Sequence, residues 1–310
     1  MTLFALLLTL LIDQAWRPAL AWQPTWNAWG WCDVVRRQLD AGHSAHGWLV
    51  WAAAVGVPAL AVAAVHHLLW QLHGLLAFAW NVMVLVATLG FRHFSHPFTE
   101  IRLALESGDE GRARALFAQW RGGTAVDWPR QELLRRVIAY AALDAHRYVL
   151  GVAVAFVLLA ALGLGPAGAL AYRLAQRLAQ QWGGPSGPAE GDVVSPAVAA
   201  AARLGWHAID ALPARASALA FAVVGRFEDV LERWRVHATG WLDPSDPLLL
   251  AAVEGAIHVR LLPREPGEAG LVGEGSEPQL NHLAALVGLV WRSVVLGLLV
   301  LALALLVRLF

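Results

Sequence analysis

The chain contains no lysine and a single cysteine, Cys32, and only 15% of its 310 residues are charged. Each scarcity excludes a kind of chemistry. One cysteine leaves no internal disulfide and no multi-cysteine zinc or iron–sulfur site, so Cys32 reads as a buried, inert thiol. Without lysine there is no Walker A loop, whose lysine reaches the β- and γ-phosphates. The amine for a pyridoxal-type aldimine is missing as well. Soluble proteins carry about 25% charged residues, whereas here 58% of the chain is hydrophobic. Formal net charge is zero, and no basic block, finger spacing or RNA-binding signature occurs, so no nucleic-acid partner is expected. A Gly-x-Ser-x-Gly elbow and a His-Glu-x-x-His helix are also absent. The apolar opening, Met1 to Ile12, has neither a basic start nor a small-residue cleavage site, and reads as a short embedded helix.

Long apolar runs fill the space these absences leave. A membrane-spanning helix needs roughly 20 mostly apolar residues. Trp48 to Leu69, Leu75 to Phe91, Tyr148 to Leu164 and Leu283 to Val307 meet that need, and Ala197 to Val224 is a weaker, Ala-rich run split by Pro213. The fold class expected is therefore all-α, a polytopic helical membrane protein with about four to five membrane-embedded helices and a helical cytoplasmic segment. Its first partner is the lipid bilayer.

Arginine placement suggests orientation. Arg92, Arg102, Arg112, Arg114, Arg121, Arg130, Arg135, Arg136 and Arg147 lie between Phe91 and Tyr148, while the tight turn at Gln71 to Gly74 has none. The positive-inside rule then makes 92–147 cytoplasmic and the turn external. Trp22, Trp26, Trp29 and Trp31 fit an interfacial belt or, less economically, a stacking surface for a ligand. Three parts follow: 1–91 with an embedded helix and a membrane hairpin, 92–147 helical and cytoplasmic, and 148–310 with the later membrane helices. Polar linkers fall at 183–191 and 263–278. Within 92–147, the spacing predicts helices over Phe98–Leu105, Gly111–Trp120 and Arg130–Ala145, with Asp109 near the second start. Arg292 interrupts the last run and has two accounts. Either it faces the bundle interior and pairs with an acid, or the span begins after it.

His93 and His96, like His43 and His46, are three apart and could present two imidazoles to a metal, but no third ligand is near in sequence, so no metal is expected. Gly183-Gly184-Pro185-Ser186-Gly187 lacks a helix start and is a linker rather than a phosphate loop.

Four elements in fixed order are more specific. Ala104-Leu105-Glu106-Ser107-Gly108-Asp109 with Ala113-Arg114 resembles the AL-x-x-GD-x-x-x-AR signature of the CobD/CbiB membrane proteins of cobalamin biosynthesis. Gly165-Pro166-Ala167-Gly168-Ala169 with Tyr172-Arg173 is similar to that family's PGA…YR element. Asp210-Ala211-Leu212-Pro213-Ala214-Arg215 is similar to N-x-I-P-A-R, and the stretch from Glu254 to Leu261 to its A-GALG-V-RL segment. Met1-Thr2-Leu3-Phe4 and Asp210 also resemble AmpE, a related inner-membrane protein linked to β-lactamase induction.

The resemblance implies two functions. Members that act in cobalamin synthesis join an amino-alcohol phosphate to adenosylcobyric acid with ATP, a reaction that uses carboxylates for Mg²⁺ and cations for phosphates. Arg114, Arg173 and Arg215 would bind phosphate or another anion, with His96, Asp109, Asp144, Tyr172 and Asp210 as acidic or polar partners. The family's acids are otherwise missing: the GDP position falls at Ala15-Trp16-Arg17-Pro18, the NT-x-D positions at Gln176, Arg177 and Ala179, and the DD positions at Trp206-His207. On that ground the first expectation is an AmpE-like sensing or signalling protein that is not catalytic. It would have no cofactor and would bind a small anionic ligand or another membrane protein. The alternative is a diverged adenosylcobinamide-phosphate synthase using ATP and Mg²⁺.

Overall fold

The structure, a computed structural model, describes residues 2–15, 28–184, 194–237, 240–262 and 275–307. Among these residues are thirteen α-helices and no β-strand beyond one isolated bridge. Five helical stretches are long and apolar enough to cross a membrane: Ser44–Leu72, Gly74–Glu106, Arg130–Ala161, Pro196–Val224 and Leu280–Val307. The chain is an all-α, multi-pass membrane protein. Trp22, Trp26, the GDP-like positions 16–18, the Gly/Pro stretch beyond Gly184 and most of 263–278 lie outside the described residues.

Contacts gather the chain into two compact units interleaved in sequence. Unit one takes Met1–Gly90, Gly151–Pro213 and Trp241–Asp243. Its helices are α1 (Thr2–Ala15), α2 (Ala28–Leu39), α3 (Ser44–Leu72), α4 (Gly74–Thr88), α8 (Gly151–Ala161), α9 (Ala167–Gly183) and the first part of α10 (Pro196–Val224). The expected tight hairpin is there: His73 closes α3 and caps α4, its Nδ1 accepting the Leu75 N–H at 3.2 Å. Pro58 has no N–H for the carbonyl one turn back, at Ala54. That carbonyl receives the Cys32 thiol instead, at 3.9 Å, and the neighbouring Ala53 carbonyl receives Trp31 Nε1 at 3.4 Å. The carbonyl that the proline leaves free thus becomes a docking point for another helix. Burial, with the Asp33 carboxylate adding to it, pushes the Cys32 thiol up to about 12.

The turn from α8 to α9 uses Gly163 and Gly165 at φ +81° and +56°, a left-handed backbone that other residues resist. Just beyond it, Gly168 lets α9 lie directly on α8, because a Cβ there would fall on the Ala155 carbonyl oxygen. Gly168→Ala should cost about 1–3 kcal/mol by overpacking, read as a lower unfolding temperature in detergent. An unchanged temperature would show that the two helices are free to part.

Asp40 ties the end of α2 to the start of α10: its carboxylate accepts the Gly42 N–H at 3.1 Å and the Ser195 N–H at 3.2 Å. Burial pulls this carboxyl upward, but the Ser195 and Gly42 hydrogen bonds and the Arg36 charge outweigh it and set it below its ordinary value. A lowered folded-state pKa contributes stability above the unfolded value and loses it as pH falls through the folded one. Asp40→Asn should therefore be less stable than the parent at pH 7. That difference should fade once acid drops below the carboxylate range, as parallel melts at the two pH values would show.

Unit two takes Phe91–Leu150, Ala214–Gly240 and Pro244–Phe310. It holds α5 (Phe91–Glu106), α6 (Glu110–Arg121), α7 (Arg130–Ala145), the remainder of α10, α11 (Phe227–Val236), α12 (Asp246–Ile257) and α13 (Leu280–Val307). Asp109 caps α6 as the sequence suggested, its Oδ1 accepting the Arg112 N–H at 2.9 Å. Phe117, Trp120, Trp128 and Tyr140 pack edge to face between α6 and α7. A single π-helical turn, His146–Leu150, follows α7. Gly255 lets α12 lie close on α11, since a Cβ there would meet the Val230 backbone at 2.8 Å.

Candidate functional site

Two buried polar clusters stand out, one in each unit, and each is described alone. In unit one the Tyr172-Arg173 pair lies on the buried face of α9. Tyr172 is fully buried, and its hydroxyl donates to Asp210 Oδ1 on α10 at 2.7 Å. Trp206 meets the Tyr172 ring edge-on at 5.0 Å, and Gly151 is the only residue type that clears the hydroxyl, because a Cβ would overlap it. One turn along α9, buried Arg173 donates from Nη1 to Gln176 Oε1. Gln176 is itself 2% exposed, and its Nε2 has no hydrogen-bond partner. A buried donor left unpaired costs about 1–3 kcal/mol, so such a group is more often a binding element than a packing accident.

In unit two, Asp144 is buried at the end of α7 and His146 opens the π turn. His146 Nδ1 pairs with Ser217 Oγ on α10 at 2.9 Å, both side chains being buried. Arg147 Nη2 donates to both oxygens of Asp246 at 2.7 and 2.6 Å. π turns inside α-helices are frequent at functional sites because the extra residue redirects side chains. Arg215 is half-buried and donates to the Gly240 carbonyl at 3.3 Å.

The remaining expected site residues lie in less promising settings. Arg114 donates from Nε and Nη2 to the Trp128 carbonyl at 3.0 and 2.7 Å, and contacts Glu110 at 3.2 Å and Asp127 at 3.4 Å. It pins the loop between α6 and α7. His96 is exposed and 3.8 Å from Glu100, and Asp109 is an exposed cap. Tyr172, Arg173 and Asp210 are thus brought into one unit, and Asp109, Arg114, Asp144, His96 and Arg215 belong to the other.

Comparison with known proteins decides the kinship. Over 280 residues, 84% of this chain and 82% of the relative, it is 28% identical to the cobalamin biosynthesis protein CobD of Stutzerimonas stutzeri. The chain is similar to a CobD protein over most of its length. A second CobD, from Chromobacterium violaceum, is 29% identical over 186 residues, 58% of this chain and 54% of that one. No family model matches, and no solved structure matches significantly.

These matches correct one expectation. Both relatives are named for cobalamin biosynthesis and neither for signalling, which overturns the AmpE-like, non-catalytic reading. That reading counted only acids at the motif positions. Buried Glu254 and partly exposed Asp246, both engaged with arginines, escaped the count.

The magnesium ion that CobD/CbiB chemistry implies can be tested against the residues present. No three His, Cys, Asp or Glu side chains converge to hold a cation among the described residues. Asp109 caps α6 and Asp210 accepts from Tyr172. This donor set does not fit a protein-built magnesium cage, and no step below is routed through the metal.

A serine–histidine pair is equally unsuited to nucleophilic work. The Gln279 N–H donates to His282 Nδ1 at 3.0 Å, so the imidazole proton sits on Nε2 and is shared with Ser276 Oγ at 3.2 Å. Ser276 in turn donates to the His258 carbonyl at 2.8 Å, fastening the Val259–Ser276 bridge. A base that is already donating to the hydroxyl cannot take its proton.

Sequence reading missed His146, Ser217, Asp246 and Gln176. The available signal was the polar run Asp144-Ala145-His146-Arg147-Tyr148 at the join between an amphipathic helix and an apolar one. Gln176 stood at the first NT-x-D position, where only lost acids were weighed, and its partnerless amide exists only in three dimensions.

Proposed function

We propose that this chain works in cobalamin biosynthesis, forming the amide between adenosylcobyric acid and an amino-alcohol phosphate at the expense of ATP in the bacterial inner membrane, with 92–147 on the cytoplasmic side. The observation that carries this reading is the similarity to a CobD along 84% of the chain. In support, unit one offers a buried guanidinium beside an amide donor that has nothing to bind. Phosphate oxygens accept several hydrogen bonds at once, and a guanidinium with a nearby N–H suits them in geometry and charge. Arg173 and Gln176 would hold the phosphate of the amino alcohol, with Tyr172 and Asp210 fixing α9 against α10. Arg114 serves the loop it pins. Amide formation needs the amine nitrogen to attack a carboxyl carbon activated by phosphoryl transfer. A charged phosphate gripped at the far end of the amine orients that attack.

The test is rescue of a CobD-deficient strain supplied with cobyric acid, with the corrinoid product measured by mass spectrometry. Growth together with the amide product supports the reading. Absence of both, with the protein present in the membrane, removes it.

A further inference from the structure

Aromatic contacts in unit two join the ends of two apolar runs to their neighbours, one of them a tryptophan inside α13. Phe91 ends the apolar run Leu75–Phe91, and Tyr148 begins the run Tyr148–Leu164. His93 and Tyr148 have ring centroids 4.3 Å apart, and Phe91 and Trp291 4.8 Å apart. Trp and Tyr gather at membrane–water interfaces, so Trp291 belongs at the level where the two earlier runs meet the headgroups. Burial along α13 changes at the same place. His282, Leu283, Leu286, Leu289, Val290, Ser293 and Val294 are buried in the unit, whereas Val295, Leu299, Val300, Leu303, Leu306 and Val307 are all more than half exposed. Ser293 to Val307 spans about 22 Å at 1.5 Å per residue, most of a hydrocarbon core of about 30 Å.

Arg292 sits at this change. It is exposed, its Nε donates to the Gly288 carbonyl at 3.1 Å, and no acid pairs with it among the described residues. Of the two accounts open from sequence, an exposed Arg292 with no acid on it among the described residues fits the one in which the span begins after it. We infer that α13 enters the bilayer just after Arg292, level with Phe91 and Tyr148, and that the Arg292 guanidinium binds the phosphodiester of an anionic phospholipid there. The planar fork matches a phosphate bidentately. The side chain is exposed, and a net-anionic lipid brings no choline to offset the attraction. This inference stands apart from the proposed chemistry.

The test uses the purified full-length protein. Native mass spectrometry in mild detergent, with phosphatidylglycerol or phosphatidylcholine added, should show about fivefold tighter retention of phosphatidylglycerol, equivalent to about 1 kcal/mol per cation at an anionic surface. Arg292→Gln should abolish the preference and Arg292→Lys should keep part of it. An exposed side chain makes both variants safe for folding. An undiminished preference in Arg292→Gln overturns the site, as does release of phosphatidylglycerol by equimolar inorganic phosphate, which would reveal a free-anion site. The depth of α13 is read with single cysteines, since buried Cys32 is silent to maleimides at neutral pH. In sealed vesicles, Gln279→Cys should react with an impermeant maleimide from one face only. Leu299→Cys should react only after solubilisation, and its labelling in intact vesicles would place α13 outside the bilayer and end the inference.

Discussion

Glu254→Ala is expected to be the most destabilising single change in the chain. Arg233 and Glu254 form an ion pair between α11 and α12 with side chains only 6% and 9% exposed. Glu254 also accepts the Leu261 and Leu262 N–H groups at 3.4 and 3.2 Å. One carboxylate therefore joins two helices and the segment leading into the Val259–Ser276 bridge. Removing it leaves a guanidinium and two amides in a dry interior. Breaking such a pair costs about 3–5 kcal/mol, because the surviving charge keeps its desolvation penalty without its partner. At 2–4 °C per kcal/mol for a body of this size, the melting temperature should fall by about 6–20 °C. Replacing both charges, as in Arg233→Met with Glu254→Leu, should recover most of that loss, since an apolar pair of similar volume avoids the penalty. Melts of the single and double variants decide the matter. A single variant within a degree or two of the parent would mean the pair is solvated in the membrane-embedded protein.

The second large effect is on activity. Arg173→Ala removes a buried guanidinium that, in the proposed reaction, grips a phosphate. Truncating one partner of a buried charge pair costs about 2–5 kcal/mol, or roughly 30- to 5,000-fold in kcat/KM. Arg173→Ala could also loosen α9, so Gln176→Glu separates the two roles. It keeps an acceptor for Arg173 and removes the partnerless donor. The new carboxylate buries a charge, but its attraction to the adjacent Arg173 guanidinium offsets that cost, so the protein should still fold. The KM for the phosphate substrate should nevertheless rise at least about tenfold, since a carboxylate would face the phosphate. If KM and kcat are both unchanged in Gln176→Glu, the amide is not in contact with substrate, and the phosphate lies elsewhere in the molecule.

Much of this arrangement was legible residue by residue. The hairpin at His73, the cap at Asp109, the turn at Gly163 to Gly165 and the mostly buried amphipathic α9 all follow from local rules, because periodicity, capping and left-handed glycines act over a few residues. Legibility ended where partners are distant in sequence. Tyr172 and Asp210 are 38 residues apart, His146 and Ser217 are 71, and Arg147 and Asp246 are 99. The missing acids illustrate the same boundary. Reading the family's acidic positions suggested that most carboxylates were lost, yet Glu254, in the fourth element, and Asp246, outside the elements, pair with arginines. The π turn at His146 was invisible as well, since one extra residue in a helical turn leaves composition and periodicity almost untouched.

By itself the sequence determined that the chain is helical and lies in a membrane, because apolar runs of spanning length with few charges have no other stable solution. It also determined kinship, through four short elements in order. Tertiary structure alone decided what the charged residues do. It made Arg114 a loop pin, set Arg173 beside an amide with nothing to bind, and left Arg292 exposed with no acid on it among the described residues. The physical reason is that a charge takes its role from its neighbours and from its access to water, and neither is written at its own position in the chain.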